Sequence, residues 1–210
     1  MDSRRAFNPA ITRFWSLAAP AYDAETLQQW VYRPAQDEMI SLLKAHGARR
    51  AADIACGTGI LASRIAREVG ADEVYGVDFS EGMLAQARRR SHEVRWLTAP
   101  AEQLPFEDET LDAVVTTSAF HFFNQPAALR EFHRVLAPGG LAAVATFSPY
   151  QPLPLHWLSA SRFNPVHSPS PAAMRTLFTD AGFALHDQRR VRRPVWTRLL
   201  SDLITVGIKE

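Results

Sequence analysis

The chain has 210 residues, of which 47% are apolar and 21% charged, with a net charge of +1. That composition suits one globular domain with a sizeable core and excludes a global basic field that would recruit nucleic acid or an anionic membrane. No apolar run approaches the roughly 18 residues of a membrane span, Met1-Asp-Ser-Arg-Arg is not followed by an apolar stretch, and the lone Cys56 cannot form an internal disulfide, so a cytoplasmic protein without a signal peptide is expected.

The N-terminal stretch carries Phe14, Trp15, Tyr22 and Trp30 and is read as helical. Residues 51–55 form a short apolar run, predicted as strand one, and a helix follows over 58–69. A second strand is predicted over 73–78, a helix over 81–90 and a third strand over 94–98. Residues 111–117 read as strand four, 126–136 as a helix opened by Pro126, and 141–147 as strand five after Pro138-Gly139-Gly140. Beyond a segment over 149–171 that holds six of the fourteen prolines, a helix is predicted over 171–181 and two closing strands over 183–191 and 203–208. Alternation of this kind implies a parallel sheet with helices on both faces and ligands at the C-terminal strand ends.

The first strand runs into Asp53-Ile-Ala-Cys-Gly57-Thr-Gly59, and Asp78 closes the second strand nineteen residues after Gly59. Gly57 and Gly59 let the backbone turn sharply against a ligand, and a carboxylate about 20 residues further on can accept hydrogen bonds from ribose hydroxyls. Gly57-Thr-Gly59-Ile-Leu-Ala62 also fits the G-x-G-x-x-A dinucleotide fingerprint. Asp53 argues against a dinucleotide, because a carboxylate beside this turn repels a pyrophosphate. S-adenosylmethionine has no phosphate and brings an ammonium and a sulfonium instead. Asp53, Ala55, Gly57 and Gly59 in a D-x-A-x-G-x-G arrangement resemble motif I of the class I S-adenosylmethionine-dependent methyltransferases.

Later segments extend the resemblance: Gly76-Val77-Asp78-Phe79-Ser80-Glu81-Gly82-Met83-Leu84, Ala101-Glu102-Gln103-Leu104-Pro105-Phe106, and Glu131-Phe-His-Arg134 leading to Pro138-Gly-Gly140 stand in order. Across residues 50–148 the chain is similar to the small-molecule methyltransferases typified by the C-methyltransferases of ubiquinone and menaquinone biosynthesis. The resemblance implies an α/β, Rossmann-like, mostly parallel sheet of seven strands, the last antiparallel, in one methyltransferase domain over 1–210. Residues 1–48 would be its helical cap and 149–171 its lid. It implies S-adenosylmethionine as cofactor, with Tyr22, Asp53, Ala55, Gly57 and Gly59 around it, Asp78 on the ribose, and Phe79 and Met83 about the adenine. Ala101 would offer its backbone N–H to an adenine nitrogen, and Ser118 would lie near the methionine amino group.

Two positions depart from the family pattern. Ala55 replaces a common glycine, and the added methyl is expected to leave the turn intact because the sharper bends belong to Gly57 and Gly59. Pro100 stands where many relatives have an acidic side chain for the adenine amino group, leaving Glu102 as the candidate substitute.

Methyl transfer from a sulfonium is an in-line displacement that needs alignment above all, and a general base only when the acceptor must lose a proton. His121, three residues past Ser118, is the candidate base, ahead of His156 and His167. Trp15, Phe122, Phe123 and Trp157 are expected to line the acceptor side, a surface suited to a planar or hydrophobic small molecule. No H-E-x-x-H occurs, the histidines show no i, i+3 or i, i+4 pairing, and one cysteine cannot build a thiolate cluster, so no metal is expected. Two other readings remain: an RNA-directed methyltransferase, for which Arg189, Arg190, Arg192, Arg193 and Arg198 would form the edge, and a non-catalytic cofactor-binding interaction protein. The absence of an N/D-P-P-Y/F motif at Thr117-Ser118-Ala119-Phe120 favours a small-molecule acceptor.

Overall fold

The computed structural model describes residues 32–148, 168–192 and 202–210. Helix α1 (Arg33–His46) carries Pro34 in its first turn, where the fixed φ of proline suits a helix start. It ends at Gly47, whose left-handed φ of 72° lets its N–H reach Leu43 O and Lys44 O. Met39 and Leu43 on its apolar stripe are fully buried. Then follow β1 (Arg50–Ile54), α2 (Ile60–Glu68), β2 (Glu73–Asp78), α3 (Glu81–Arg90), β3 (Arg95–Thr98) and β4 (Leu111–Thr117). A 3-10 turn (Phe120–Phe122), α4 (Gln125–Val135), β5 (Leu136–Phe147), α5 (Pro171–Asp180), β6 (Phe183–Arg190) and β7 (Asp202–Lys209) complete the described order.

Side-chain caps set several boundaries. Ser80 Oγ accepts from Met83 N–H at the start of α3, Asn124 Oδ1 accepts from Ala127 N–H at α4, and Ser170 Oγ accepts from Ala173 N–H at α5. Arg88, Arg89 and Arg90 in the last turn of α3 suit the negative end of its dipole.

The seven strands lie in the order β3-β2-β1-β4-β5-β7-β6. β1 to β5 run parallel, and β7 lies antiparallel between β5 and β6, so the last strand alone is reversed. This is the predicted sheet. One apolar core lies on the face covered by α4 and α5 and includes Ile54, Val114, Phe132, Val144 and Phe178. The other lies beneath α1 and α2 and includes Met39, Leu43, Ile65, Val115 and Val206. Each fully buried large apolar side chain contributes about 1.5–3 kcal/mol.

Most boundaries shift by a residue or two from the sequence reading, and three of the shifts have a clear cause in the backbone. β1 stops at Ile54 because Ala55 is left-handed, and α2 starts at Ile60 because Gly59, at φ 78°, is its left-handed cap. β5 begins five residues early. Leu136 already pairs with Leu111, and the ladder shifts register before resuming at Ala113 and Leu141, so Pro138-Gly139-Gly140 lies inside the strand. Arg134 anchors the loop ahead of β4: its guanidinium donates to Leu104 O, Phe106 O, Asp108 and Glu131 while Glu131 accepts from Leu104 N–H.

Candidate cofactor and acceptor site

The strand order reverses between β1 and β4, whose neighbours lead away in opposite directions, and ligands of doubly wound sheets bind at the C-terminal side of such a switch point. Backbone strain gathers there. Among the described residues three non-glycines have positive φ, and two of them, Ala55 (57°) and Ser118 (57°), follow the ends of β1 and β4. Such outliers persist where the surrounding structure holds them for a purpose.

The turn after β1 has left-handed residues at Ala55, Gly57 and Gly59. Cys56 N–H donates to Val77 O at 3.1 Å and Gly59 N–H to Cys56 O at 2.9 Å. A Cβ on Gly57 would meet nothing within 4 Å, so that backbone is open to a ligand, whereas one on Gly59 would collide with the Trp96 ring. The same ring lies against Gly76, and its Nε1 donates to Ser91 O. Gly59 and Gly76 thus make room for Trp96, a supporting residue that the motif spacing did not reveal. The expectation for Ala55 needs correction, because one of the sharp bends is its own. Left-handed backbone costs a residue with a Cβ about 1–2 kcal/mol, offset by about 0.5–1 kcal/mol because glycine is freer when unfolded. Ala55→Gly is expected to raise the unfolding free energy by up to about 1 kcal/mol in denaturant titration, with S-adenosylhomocysteine affinity retained; a loss of stability would show that the methyl's packing outweighs the strain.

Asp53 is 2% exposed at the C-terminal half of β1. Ala62 N–H, in the first turn of α2, bonds its carboxylate, yet Oδ2 has no partner. Burial pushes its pKa well up, the Ala62 amide pulls it down, and the charge of Asp78 raises it further. A buried carboxylate with a bare oxygen beside a second acid has the charge and free acceptor that would suit a cation.

Asp78 is 7% exposed and has a structural task that its strand-end position did not reveal. Its Oδ2 accepts from Gly57 N–H at 2.9 Å and its Oδ1 from Ser80 N–H at 2.8 Å, so it ties the glycine turn to the start of α3. Burial raises its pKa against the lowering of these amides. Each carboxylate oxygen keeps further acceptor capacity for hydroxyls. Phe79 is partly buried and Met83 buried at the start of α3. Ala101 packs in the core. Glu102 Oε1 is occupied by Asn124 N–H at 2.7 Å, which joins its turn to the cap of α4. Ser118 N–H donates to Ala145 O at 2.9 Å.

On the acceptor side His121 lies in the 3-10 turn with its ring 4.1 Å from that of Phe122. Its Nδ1 is buried without a partner, and burial lowers its pKa to about 4, so the ring is neutral near pH 7 rather than partly charged. Phe123 is buried edge-on against Phe120 in the core, while Phe122 is partly exposed. The Cys56 thiol is buried with its pKa raised by burial, which makes it a poor nucleophile. Trp15, Tyr22, Trp157, His156 and His167 lie outside the described residues. Among the described residues no helix is long and apolar enough to cross a membrane, and no group of three or more His, Cys, Asp or Glu could hold a metal. An open cleft of about 260 Å³ lined by His46, Arg49, Asp112 and Gly139 lies at the opposite edge, where β1 and β4 begin.

A family profile described as a methyltransferase domain matches residues 51–140. The chain is 33% identical over 168 residues to a demethylmenaquinone methyltransferase of Staphylococcus saprophyticus, covering 64% of this chain and 70% of that one. The chain belongs to the S-adenosylmethionine-dependent methyltransferases. Its cofactor is S-adenosylmethionine, and the bare Asp53 oxygen beside an open, left-handed turn fits that cation. The chain is also 37% identical over 141 residues to a 2-phytyl-1,4-naphtoquinone methyltransferase of Nostoc punctiforme, covering 61% of this chain but only 60% of the relative's length. In fold it is similar to the magnesium protoporphyrin IX methyltransferase of Synechocystis solved with bound SAH, at a TM-score of 0.73 and 19% identity, covering 97% of this chain and all of that one.

Proposed function

We propose that the protein transfers the methyl group of S-adenosylmethionine to a small hydrophobic molecule with a planar ring. The observation that carries the reading is the buried Asp53 carboxylate, whose unpartnered Oδ2 lies beside the glycine turn. A negative charge there attracts an ammonium or sulfonium and repels the pyrophosphate of a dinucleotide. Asp78 would accept from the ribose hydroxyls with the capacity that Gly57 and Ser80 leave over. Phe79 and Met83 would flank the adenine, the Ala101 N–H would meet a ring nitrogen, and Ser118 would lie beside the methionine amino group. Glu102, bonded to Asn124, acts as support for the loop.

The cofactor supplies a methyl on a positively charged sulfur, already activated for displacement. The protein's task is to hold the acceptor atom in line, which can lower the barrier by up to about 7–11 kcal/mol. His121 is neutral and so free to take a proton when the acceptor is a hydroxyl, although a ring of pKa about 4 is a weak base. The two named relatives act on quinones, which makes a hydroxylated naphthalene ring the first acceptor to try. A cytoplasmic setting accords with the unpaired Cys56. An RNA edge gains little support, because Arg189 pairs with Glu38 and Asp187 and Arg190 donates to Ser148 O.

Thermal denaturation provides the test. S-adenosylhomocysteine at 100 times its Kd should stabilise the fold by about 2.7 kcal/mol, and NAD should do nothing. S-adenosylhomocysteine should also accumulate from S-adenosylmethionine and 1,4-dihydroxynaphthalene. Equal stabilisation by NAD would falsify the reading, and cofactor binding without turnover on any ring acceptor would leave a non-catalytic binding protein.

A further inference from the structure

Among the described residues five buried side-chain polar atoms have no hydrogen-bond partner, and three of them, Thr116 Oγ1, Thr146 Oγ1 and His121 Nδ1, belong to one corner of the fold. β4 and β5 pair Thr116 with Val144 and Thr117 with Ala145, and Ser118 N–H continues the ladder to Ala145 O. Thr146 therefore stands level with Ser118, two residues further along than the Thr116 row. Val114 and Val144 both face the core under α4 and α5, so alternation along each strand points Thr116 and Thr146 to that same face. The 3-10 turn that carries His121 packs against β5. All three groups thus lie at the C-terminal ends of β4 and β5, on one side of the switch point.

Both threonines are 0% exposed among Val, Leu and Phe, where valine would fill the same space without a hydroxyl. A buried hydroxyl left unsatisfied costs about 1–3 kcal/mol. The same sheet face satisfies a hydroxyl further along the row, since Thr205, opposite Val144 on β7, accepts from Gln188 Nε2 at 3.1 Å. Two unpartnered hydroxyls and a bare imidazole nitrogen together are therefore a feature of this corner rather than of the sheet.

We propose that Thr146, with Thr116 behind it and His121 beside it, forms a polar wall of the acceptor site that binds an oxygen of the methyl acceptor, a phenolic hydroxyl or a ring carbonyl. The proposal rests on the methyltransferase reading, which makes this corner the acceptor side. A threonine hydroxyl can donate to a carbonyl or accept from a phenol, and a neutral imidazole nitrogen can do either according to its tautomer. The Phe122 ring beside His121 offers an apolar surface for the body of the same ring system. The wall would fix which edge of the acceptor turns inward, and thereby which atom faces the methyl.

The test compares two probes that differ by one oxygen, 1-naphthol and naphthalene, titrated by calorimetry into the full chain with and without S-adenosylhomocysteine. Wild type should bind 1-naphthol at least about tenfold more tightly than naphthalene, the scale of one satisfied buried hydroxyl. Thr146→Val, which keeps the shape, should erase that preference while leaving naphthalene and S-adenosylhomocysteine affinities unchanged, and Thr116→Val should reduce it in part. An unchanged preference in Thr146→Val, or no preference or no probe binding in wild type, overturns the proposal. S-adenosylhomocysteine failing to bind wild type would instead overturn the cofactor reading, and the oxygen preference is then still read from the titration without it.

Discussion

Asp53→Asn is expected to make the cofactor-free protein more stable while weakening S-adenosylmethionine binding by about 10- to 150-fold, the 1.5–3 kcal/mol range of hydrogen bonds to a charged group. Asparagine keeps the side chain's shape and an oxygen for Ala62 N–H, and it removes a charge that burial and Asp78 both disfavour. Stabilising substitutions of this type contribute about 0.5–2 kcal/mol, and in a chain of this size each kcal/mol moves Tm by about 2–4 °C. The sign with pH follows from linkage. A carboxyl whose folded pKa is raised destabilises the fold above its unfolded value of 3.8, so the advantage of the variant should shrink as pH falls toward that value. Cofactor binding to wild type should weaken over the same descent, because a protonated Asp53 no longer attracts the cation. Calorimetry in buffers of different ionisation enthalpy should show proton release on binding to wild type and none to Asp53→Asn. A variant that is less stable and binds equally well would make Asp53 a structural residue.

That trade between stability and binding bears on why local signals marked candidate residues at the strand ends yet left part of the turn's construction hidden. β2 and α3 were legible to the residue, because a strand ending in Asp78 and a helix opened by Ser80 are marked by neighbours in sequence. The switch point followed from the alternation of strands and helices. Ala55 was misread because the glycines beside it satisfied the pattern, and only the folded backbone shows a third left-handed residue. The start of β5 was missed because Pro138-Gly139-Gly140 reads as a turn, whereas the ladder with β4 carries the strand through it by a shift of register. Trp96 and Arg134 act across the fold, under Gly59 and on the loop over residues 104–108, and no spacing rule connects such residues. Phe123 shares its composition signal with Phe122, but at the end of the 3-10 turn the Phe123 ring enters the core and the Phe122 ring stays partly exposed. Burial likewise reset His121, whose pKa near neutrality was the reason for choosing it as a base.

The pH dependence of stability should expose that change directly. His121 titrates at 6.5 when unfolded and at about 4 in the fold, where burial disfavours the charged ring. Between those values the unfolded chain binds the proton more strongly, so stability is fullest above 6.5 and is lost as pH falls through the window. The loss amounts to at most about 3 kcal/mol, from 1.36 kcal/mol per pKa unit. His121→Gln, which cannot charge, should lack this term, and the difference in unfolding free energy between wild type and variant should change by up to that amount from pH 7 to pH 4. Asp53 contributes with the opposite sign, but equally to both proteins, so the difference isolates His121. Chemistry then gives an independent reading of the same ring. If His121 accepts the acceptor's proton, His121→Gln should lower kcat by about 10²-fold or more with S-adenosylhomocysteine affinity unchanged, and the acid limb of the wild-type kcat profile should fall near 4 rather than 6.5. A variant that follows wild type in stability from pH 7 to pH 4 would show that the ring is charged or solvated in the fold. The expected change in the stability difference together with unchanged kcat would leave His121 as a neutral contact and alignment as the whole of the catalysis.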